Sequence, residues 1–165
     1  MSAAEDKGGP VIFSGFSPMP ASAALIALAR AAAVAHVLDP ALVCAVVEQE
    51  SAWNTWAVRY EPGFLARYVA PLYNAGEISA TEAYTRSISW GLMQLMGEVA
   101  RELGCQAASL AELCDPATGL DFGCRQLRAK FDANQGDQTR ALLAWNGGSN
   151  RDYPAEVLAR VARYK

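Results

Sequence analysis

The chain has 165 residues, 52% hydrophobic and 19% charged, with a net charge of −3. That length suits one domain, which buries roughly 68–70% of its unfolded surface and needs no covalent staples to fold. The composition excludes a disordered protein, and a pI near 5.2 argues against a protein built to grip nucleic acid, which carries a basic footprint. Charge is uneven: residues 1–124 carry −7 and residues 125–165 carry +4. The basic part can steer an anionic polymer, or it is simply a solvated arginine-rich helix face.

Residues 1–20, rich in Gly, Ser and Pro, read as a flexible N-terminal arm. The start is polar and acidic rather than basic and then apolar, so no secretory signal is read there and the chain is expected to be made in the cytoplasm. Residues 21–38 predict an Ala-rich helix. It carries Arg30 and lies between Pro20 and Pro40, too short and broken to span a bilayer, so membrane insertion is not expected. Asp39-Pro40 supplies an N-cap and a proline at the first helical position, opening a helix to about Ala52. Pro62 to about Tyr73 predicts a further helix, and Ser79 with Glu82 a capping box for a short one ending near Arg86. Leu92–Leu103 reads as helical with Gly104 as its C-cap. Ser109 and Glu112 form another capping box. Asp115-Pro116 opens a helix to about Ala133, Asp137 one that stops at Gly147-Gly148, and Pro154 the last. No run alternates convincingly over strand length, and no heptad pattern is sustained. The fold class is all-α, a globular helical domain covering 21–165.

Three segments carry chemistry. In the Asp39-Pro40 helix, Glu50 continues the apolar stripe of Val43, Val46 and Val47. A carboxyl so placed loses water, which raises its pKa and fits it to act as a general acid. A salt-bridged glutamate at a helix end is the plain alternative, and Glu48 competes for the role. In Ser89-Trp90-Gly91-Leu92-Met93-Gln94, a glycine opens an apolar helix holding one amide. Gln94 either meets a sugar or a carboxylate, or is a satisfied core glutamine. In Trp145-Asn146-Gly147-Gly148, an aromatic face and an amide suited to sugars sit on a flexible helix end.

Cys44, Cys105, Cys114 and Cys124 have no metal-ligand spacing, and His36 is the one histidine. Buried free thiols are expected, with no metal and no cofactor.

Glu50-Ser51, Gly91-Leu92-Met93-Gln94, Trp145-Asn146-Gly147-Gly148 and the Tyr153-to-Leu158 segment, taken in this order, resemble the soluble lytic transglycosylase (SLT) domain family, related to goose-type lysozyme. The resemblance covers roughly residues 38–165. It implies a lysozyme-like fold around a substrate cleft that takes peptidoglycan glycan strands. It places the catalytic glutamate at Glu50 rather than Glu48, and substrate-contacting positions at Ser51, Ser89, Met93, Gln94, Trp145, Asn146 and Tyr153. Two features depart from the pattern. Trp145 stands where the family usually has tyrosine, and residues 59–86 read as an insertion. This segment carries Tyr60, Phe64, Tyr68, Tyr73 and Tyr84 and is expected to form two short helices beside the cleft. Its aromatics either clamp the glycan or pack the segment onto the domain.

The implied reaction is cleavage of the MurNAc–GlcNAc β-1,4 bond with 1,6-anhydro-MurNAc formation, Glu50 serving as acid and then base. Hydrolysis, as in a muramidase, is the rival and needs a second carboxylate, for which Glu61 is the candidate. A non-catalytic peptidoglycan-binding protein is a third reading. A chain that is almost only a catalytic domain resembles a phage or prophage lysin. It is expected to act as a monomer on the bacterial cell wall.

Overall fold

The computed structural model describes residues 21–165; the expected arm at 1–20 lies outside the described residues. Helix α1 (Ala23–Ala35) is capped by Ser22, whose Oγ accepts from the Leu25 N–H. Helix α2 (Pro40–Ser51) is capped by Asp39, which accepts from the Ala41 N–H at 2.8 Å. Every residue from Ala41 to Val47 is buried. A helix apolar on all sides must be surrounded. Here α1, the later helix α9 (Tyr153–Val161) and the closing 3-10 turn Ala162–Tyr164 pack on it. Helices α7 (Pro116–Ala133) and α8 (Gln138–Trp145) complete the core, with Leu120, Leu127 and Leu142 joining Leu42, Val43, Val46 and Val47. Asp115 and Asp137 cap α7 and α8 as their sequence predicts, accepting from the Thr118 and Arg140 N–H groups.

Two expectations between α2 and α7 are corrected. First, a small antiparallel sheet is present, β1 (Val58–Tyr60), β2 (Ile88–Trp90) and β3 (Leu95–Met96), in the order β1-β2-β3. Val58 pairs with Trp90, and Trp90 with Leu95. Strands of two or three residues are too short to show alternation. Second, Gly91-Leu92-Met93-Gln94 does not begin a helix. It is the tight turn joining β2 to β3, with Gly91 at φ +65° and Gln94 at φ +47°, and helix α6 (Gly97–Glu102) starts only after β3. Two residues in the left-handed region are incompatible with a right-handed helical start.

The expected helices of the 59–86 segment are present in altered form. Pro62–Phe64 (α3) runs into a π-helical stretch, Leu65–Val69, and then into Ala70–Asn74 (α4). Helix α5 (Ala80–Arg86) follows, capped by Ser79. The capping box is half formed: Ser79 Oγ accepts from the Glu82 N–H, but the Glu82 carboxylate turns to Arg86 and to Arg101 of α6. The Arg101 hydrogen bond holds Glu82 below the usual carboxylate range. Apart from these short strands the domain is helical, the all-α, lysozyme-like fold expected. All four cysteines are buried and unpaired, and His36 Nε2 lies 2.8 Å from Asp121 Oδ1. Among the described residues no group of three potential metal ligands forms, and no helix is long and apolar enough to cross a membrane.

The turn at 91–94 is locked by backbone contact. A Cβ on Gly91 would lie 2.4 Å from the Leu113 carbonyl oxygen, and a Cβ on Gly119 of α7 would meet the same oxygen at 2.3 Å. The Leu110–Cys114 3-10 turn therefore sits against both the hairpin and α7. Gly91→Ala adds this clash to a positive φ and is expected to cost about 2–4 kcal/mol. Gly76→Ala, at φ +74° with nothing within 4 Å, should cost about 1 kcal/mol. Urea unfolding of the two variants tests this; equal losses contradict the packing argument.

Candidate active site

The last turn of α2 emerges from the core carrying Glu48, Gln49 and Glu50, each half-buried. Helical rotation sends them in different directions. Glu48 is tied to the C-terminus: Arg163 and the Tyr164 hydroxyl bond its carboxylate, and Tyr164 in turn accepts from Trp53 Nε1. Its role is structural. Glu50 instead lines a cleft of about 750 Å³, so the structure distinguishes the two glutamates that periodicity left together.

One oxygen of Glu50 is held and the other is left open. Tyr153 donates its hydroxyl to Glu50 Oε1 at 2.5 Å, and Trp145 donates its indole N–H to the same atom at 2.9 Å. Oε2 has no partner among the described residues and is not sealed from solvent. Burial pushes the Glu50 carboxyl above its ordinary value, while the Tyr153 and Trp145 hydrogen bonds and the Arg59 charge pull part of the way back. Burial and the adjacent carboxylate push the Tyr153 phenol upward, so it stays a donor. A carboxyl whose hold on a proton is strengthened by burial, with one oxygen fixed by two donors and the other without a partner, is suited to proton transfer in a defined direction.

The other motif residues take varied places. Gln94 lines the cleft, but its amide is consumed internally: Nε2 donates to Ala57 O at 2.9 Å and Gly91 O at 3.0 Å, and Oε1 accepts from Ser89 Oγ at 3.1 Å. Gln94 thereby holds its own unfavourable φ, and Ser89 lies buried beside it on the cleft wall. Asn146 lines the cleft and shapes the following turn, its Oδ1 accepting from the Asn150 N–H at 3.2 Å. Ser51 and Met93 are not brought to the cleft surface. Ser51 Oγ reaches the Leu92 carbonyl at 2.8 Å and ties the end of α2 to the β2–β3 turn. Met93 is buried in the main core, where a Cβ on Gly123 would strike its sulfur at 2.4 Å. Met96, two residues past Gln94, reaches the cleft instead. Glu61 pairs with Arg59 at 2.5 Å and is not among the residues lining the cleft.

Sequence reading missed Gln49, Asn150 and Arg59, all on the cleft wall. Glu156 accepts from Gln49 Nε2 at 2.9 Å and from Asn150 Nδ2 at 3.3 Å, so it joins the end of α2 to the turn before α9. The signal for Gln49 was its place beside Glu50. Arg59 carried none, because its strand was not read.

Two outcomes follow from this geometry. Tyr153→Phe removes a donor that favours the Glu50 carboxylate, so Glu50 titrates higher still. Carboxyl carbon shifts of glutamate-labelled protein, assigned with Glu50→Gln, report this directly; an unmoved or lowered titration contradicts it. The raised pKa also sets a direction for stability. The folded state holds this proton more tightly than the unfolded chain. Glu50's contribution is therefore complete below its ordinary 4.5 and is lost as pH climbs through the raised folded value. Glu50→Gln escapes that loss, so its melting temperature minus that of wild type widens from about pH 4 to about pH 7.5. A difference flat with pH contradicts desolvation as the leading effect.

Comparison with known proteins gives the family. The family model described as Transglycosylase SLT domain matches residues 27–159, which include Glu50, the β2–β3 turn, Trp145 and Tyr153. A curated protein named "Transglycosylase" from Enterobacteria phage PRD1 is 31% identical over 139 residues, a match taking in 79% of this chain and 40% of that protein. The chain thus spans well under half the length of that relative. No solved structure matches significantly. The match over most of the chain shows that this chain belongs to the Transglycosylase SLT domain family.

Proposed function

We propose that the protein is a peptidoglycan lytic transglycosylase that cleaves the MurNAc–GlcNAc β-1,4 bond and leaves 1,6-anhydro-MurNAc. The observation that carries this reading is the single carboxylate of the cleft. Among the described residues lining it, Glu50 alone bears a carboxyl group. An inverting hydrolase needs a second carboxylate about 6.5–9.5 Å away to activate water; an intramolecular attack needs none.

Glu50 Oε2 gives its proton to the bridging oxygen as the bond from C1 of MurNAc to that oxygen breaks. The GlcNAc hydroxyl leaves, and positive charge develops at C1. The Glu50 carboxylate then takes the proton of the MurNAc C6 hydroxyl while O6 bonds to C1. Protons balance, no water enters, and Glu50 returns to its starting state. Throughout, Tyr153 and Trp145 keep Oε1 fixed, so one oxygen serves both transfers. Trp145 in place of the family's usual tyrosine suits this role, because an indole N–H donates and cannot take the proton away.

The substrate of this reading is the glycan strand of the bacterial cell wall, on which the enzyme is proposed to act as a monomer. The phage source and printed name of the 31%-identical relative support a role as a phage or prophage lysin.

Mass spectrometry of soluble fragments from purified peptidoglycan tests the reading. Wild type should release products lighter by one water than hydrolysis products. Glu50→Gln should lower the rate by about 10²–10⁴-fold, the usual contribution of a positioned acid or base. Reducing-end products would make the enzyme a muramidase and direct attention to Glu61. A folded wild type that binds the polymer and releases nothing would leave only the binding-protein reading.

A further inference from the structure

We infer that Phe64 and Tyr68 form a sugar-stacking subsite that sets how tightly the glycan strand is gripped, apart from the acid–base chemistry at Glu50. The inference rests on the transglycosylase reading and adds a specificity-determining pair to it.

The aromatics of the 59–86 segment separate into distinct sets. Tyr60 and Tyr84 pair with each other, ring centroids 5.9 Å apart, and neither they nor Tyr73 lines the cleft. Phe64 and Tyr68 do line it, with ring centroids 4.8 Å apart at an interplanar angle of 45°. Their spacing along the chain falls on the π-helical stretch, where the Ala70 N–H reaches back to the Leu65 carbonyl. Such wide turns are uncommon and cluster at functional sites.

Packing alone does not account for this pair. Val69 is fully buried and anchors the stretch. Tyr68, its neighbour, stays 51% exposed, and its hydroxyl has no hydrogen-bond partner among the described residues. Tyr60, Tyr73 and Tyr84 are comparably exposed, so what sets Tyr68 apart is its place on the cleft beside Phe64. The Arg67 guanidinium lies 5.1 Å from the centre of the Tyr68 ring, a cation–π contact that steadies the exposed side chain.

The rest of the cleft makes the ligand class specific. The same cleft is also lined by Gln49, Asn146, Asn150 and Gln126. Flat apolar surface beside several amides is the chemistry that recognises a pyranose. Its C–H face covers the ring, and its hydroxyl and N-acetyl groups meet the amides. Asn150 and the Gln49 amide N–H are already bonded within the protein. Gln49 Oε1, the Asn146 amide N–H and the Gln126 amide have no partner among the described residues, and a lipid or an apolar peptide would leave them unpaired at a cost.

The test uses the full chain carrying Glu50→Gln, with a peptide-free GlcNAc–MurNAc hexasaccharide as probe and calorimetry as readout. Adding Tyr68→Ala or Phe64→Ala should weaken binding about ten-fold, corresponding to roughly 1.4 kcal/mol. Tyr68→Phe should bind like the parent, because stacking needs the ring and not the phenol. In the otherwise wild-type enzyme, the alanine variants should raise KM by a similar factor and leave kcat and the product mass unchanged. Equal hexasaccharide affinity in alanine variants and parent overturns the subsite while leaving the transglycosylase reading intact. A fall in kcat with unchanged KM also overturns it, since the pair would then act on chemistry rather than grip. If the parent binds no hexasaccharide and the wild type releases nothing from peptidoglycan, the transglycosylase reading fails and takes the subsite with it. Circular dichroism of each variant guards against misfolding, and the Tyr68→Phe result keeps the inference decidable should one alanine variant unfold.

Discussion

The burial of α2 is the constraint from which the site follows. Seven consecutive residues, Ala41–Val47, have no solvent-facing side, so the helix can neither rotate nor slide without exposing its core. Its polar end is therefore delivered at a fixed angle. The chain leaves abruptly afterwards, through Ala52 at φ +48° and Trp53 at φ +67°. Such left-handed residues cost about 1–2 kcal/mol each and persist because Trp53 is itself buried and bonded to Tyr164. Rigidity at both ends of the last turn gives the carboxyl its position, since a proton donor displaced by an ångström loses much of its effect.

The contrast between Glu48 and Glu50 shows how environment assigns chemistry to identical side chains. Glu48 meets cationic Arg163, with Arg160 3.8 Å away, and is committed to an ion pair. Glu50 meets two neutral donors, an indole and a phenol. Neutral donors orient a carboxyl without supplying the charge that would strip its proton. The one cation that acts on Glu50 from the cleft wall, Arg59, is paired with Glu61, and that pairing tempers its pull. Glu61 thus has a reading from geometry that needs no catalytic step.

What the sequence disclosed and what it hid divide along physical lines. Cap residues acted locally, so Asp39, Ser79, Asp115 and Asp137 were legible, and each accepts the bond expected of it. Helix α2 was legible from Asp39-Pro40, but the sequence reading took one stripe, Val43, Val46 and Val47, as its apolar face, whereas every residue of Ala41–Val47 is buried. The Gly91–Gln94 turn was not. Four residues with two positive φ angles look like a helix start when only their hydrophobicity is read, and the conformation is set by distant groups, Ala57 O and Leu113 O. The same long-range control hid Arg59, whose strand exists only through pairing with Ser89. Ser51 and Met93 show a further limit. Motif membership located them near the site, but whether a side chain faces the cleft or the core depends on a turn geometry that one-dimensional reading does not contain.

The cleft is consequently made of two kinds of structure. The acid and its donors come from α2, α8 and the start of α9, all seated in the main core, where Tyr153 is itself buried. The aromatic wall comes from the 59–86 segment, whose π-helical stretch enters the interior through one residue, Val69. A change in the first set disturbs packing throughout the domain and moves the Glu50 carboxyl. A change in the second alters exposed rings and leaves Glu50 and its two donors in place. The separation has a mechanical basis: the donors sit in a close-packed interior that transmits displacement, whereas the rings of Phe64 and Tyr68 project from a stretch with one fully buried residue. Under the proposed function, a fold arranged this way can vary how it holds the glycan while keeping one fixed mode of proton transfer.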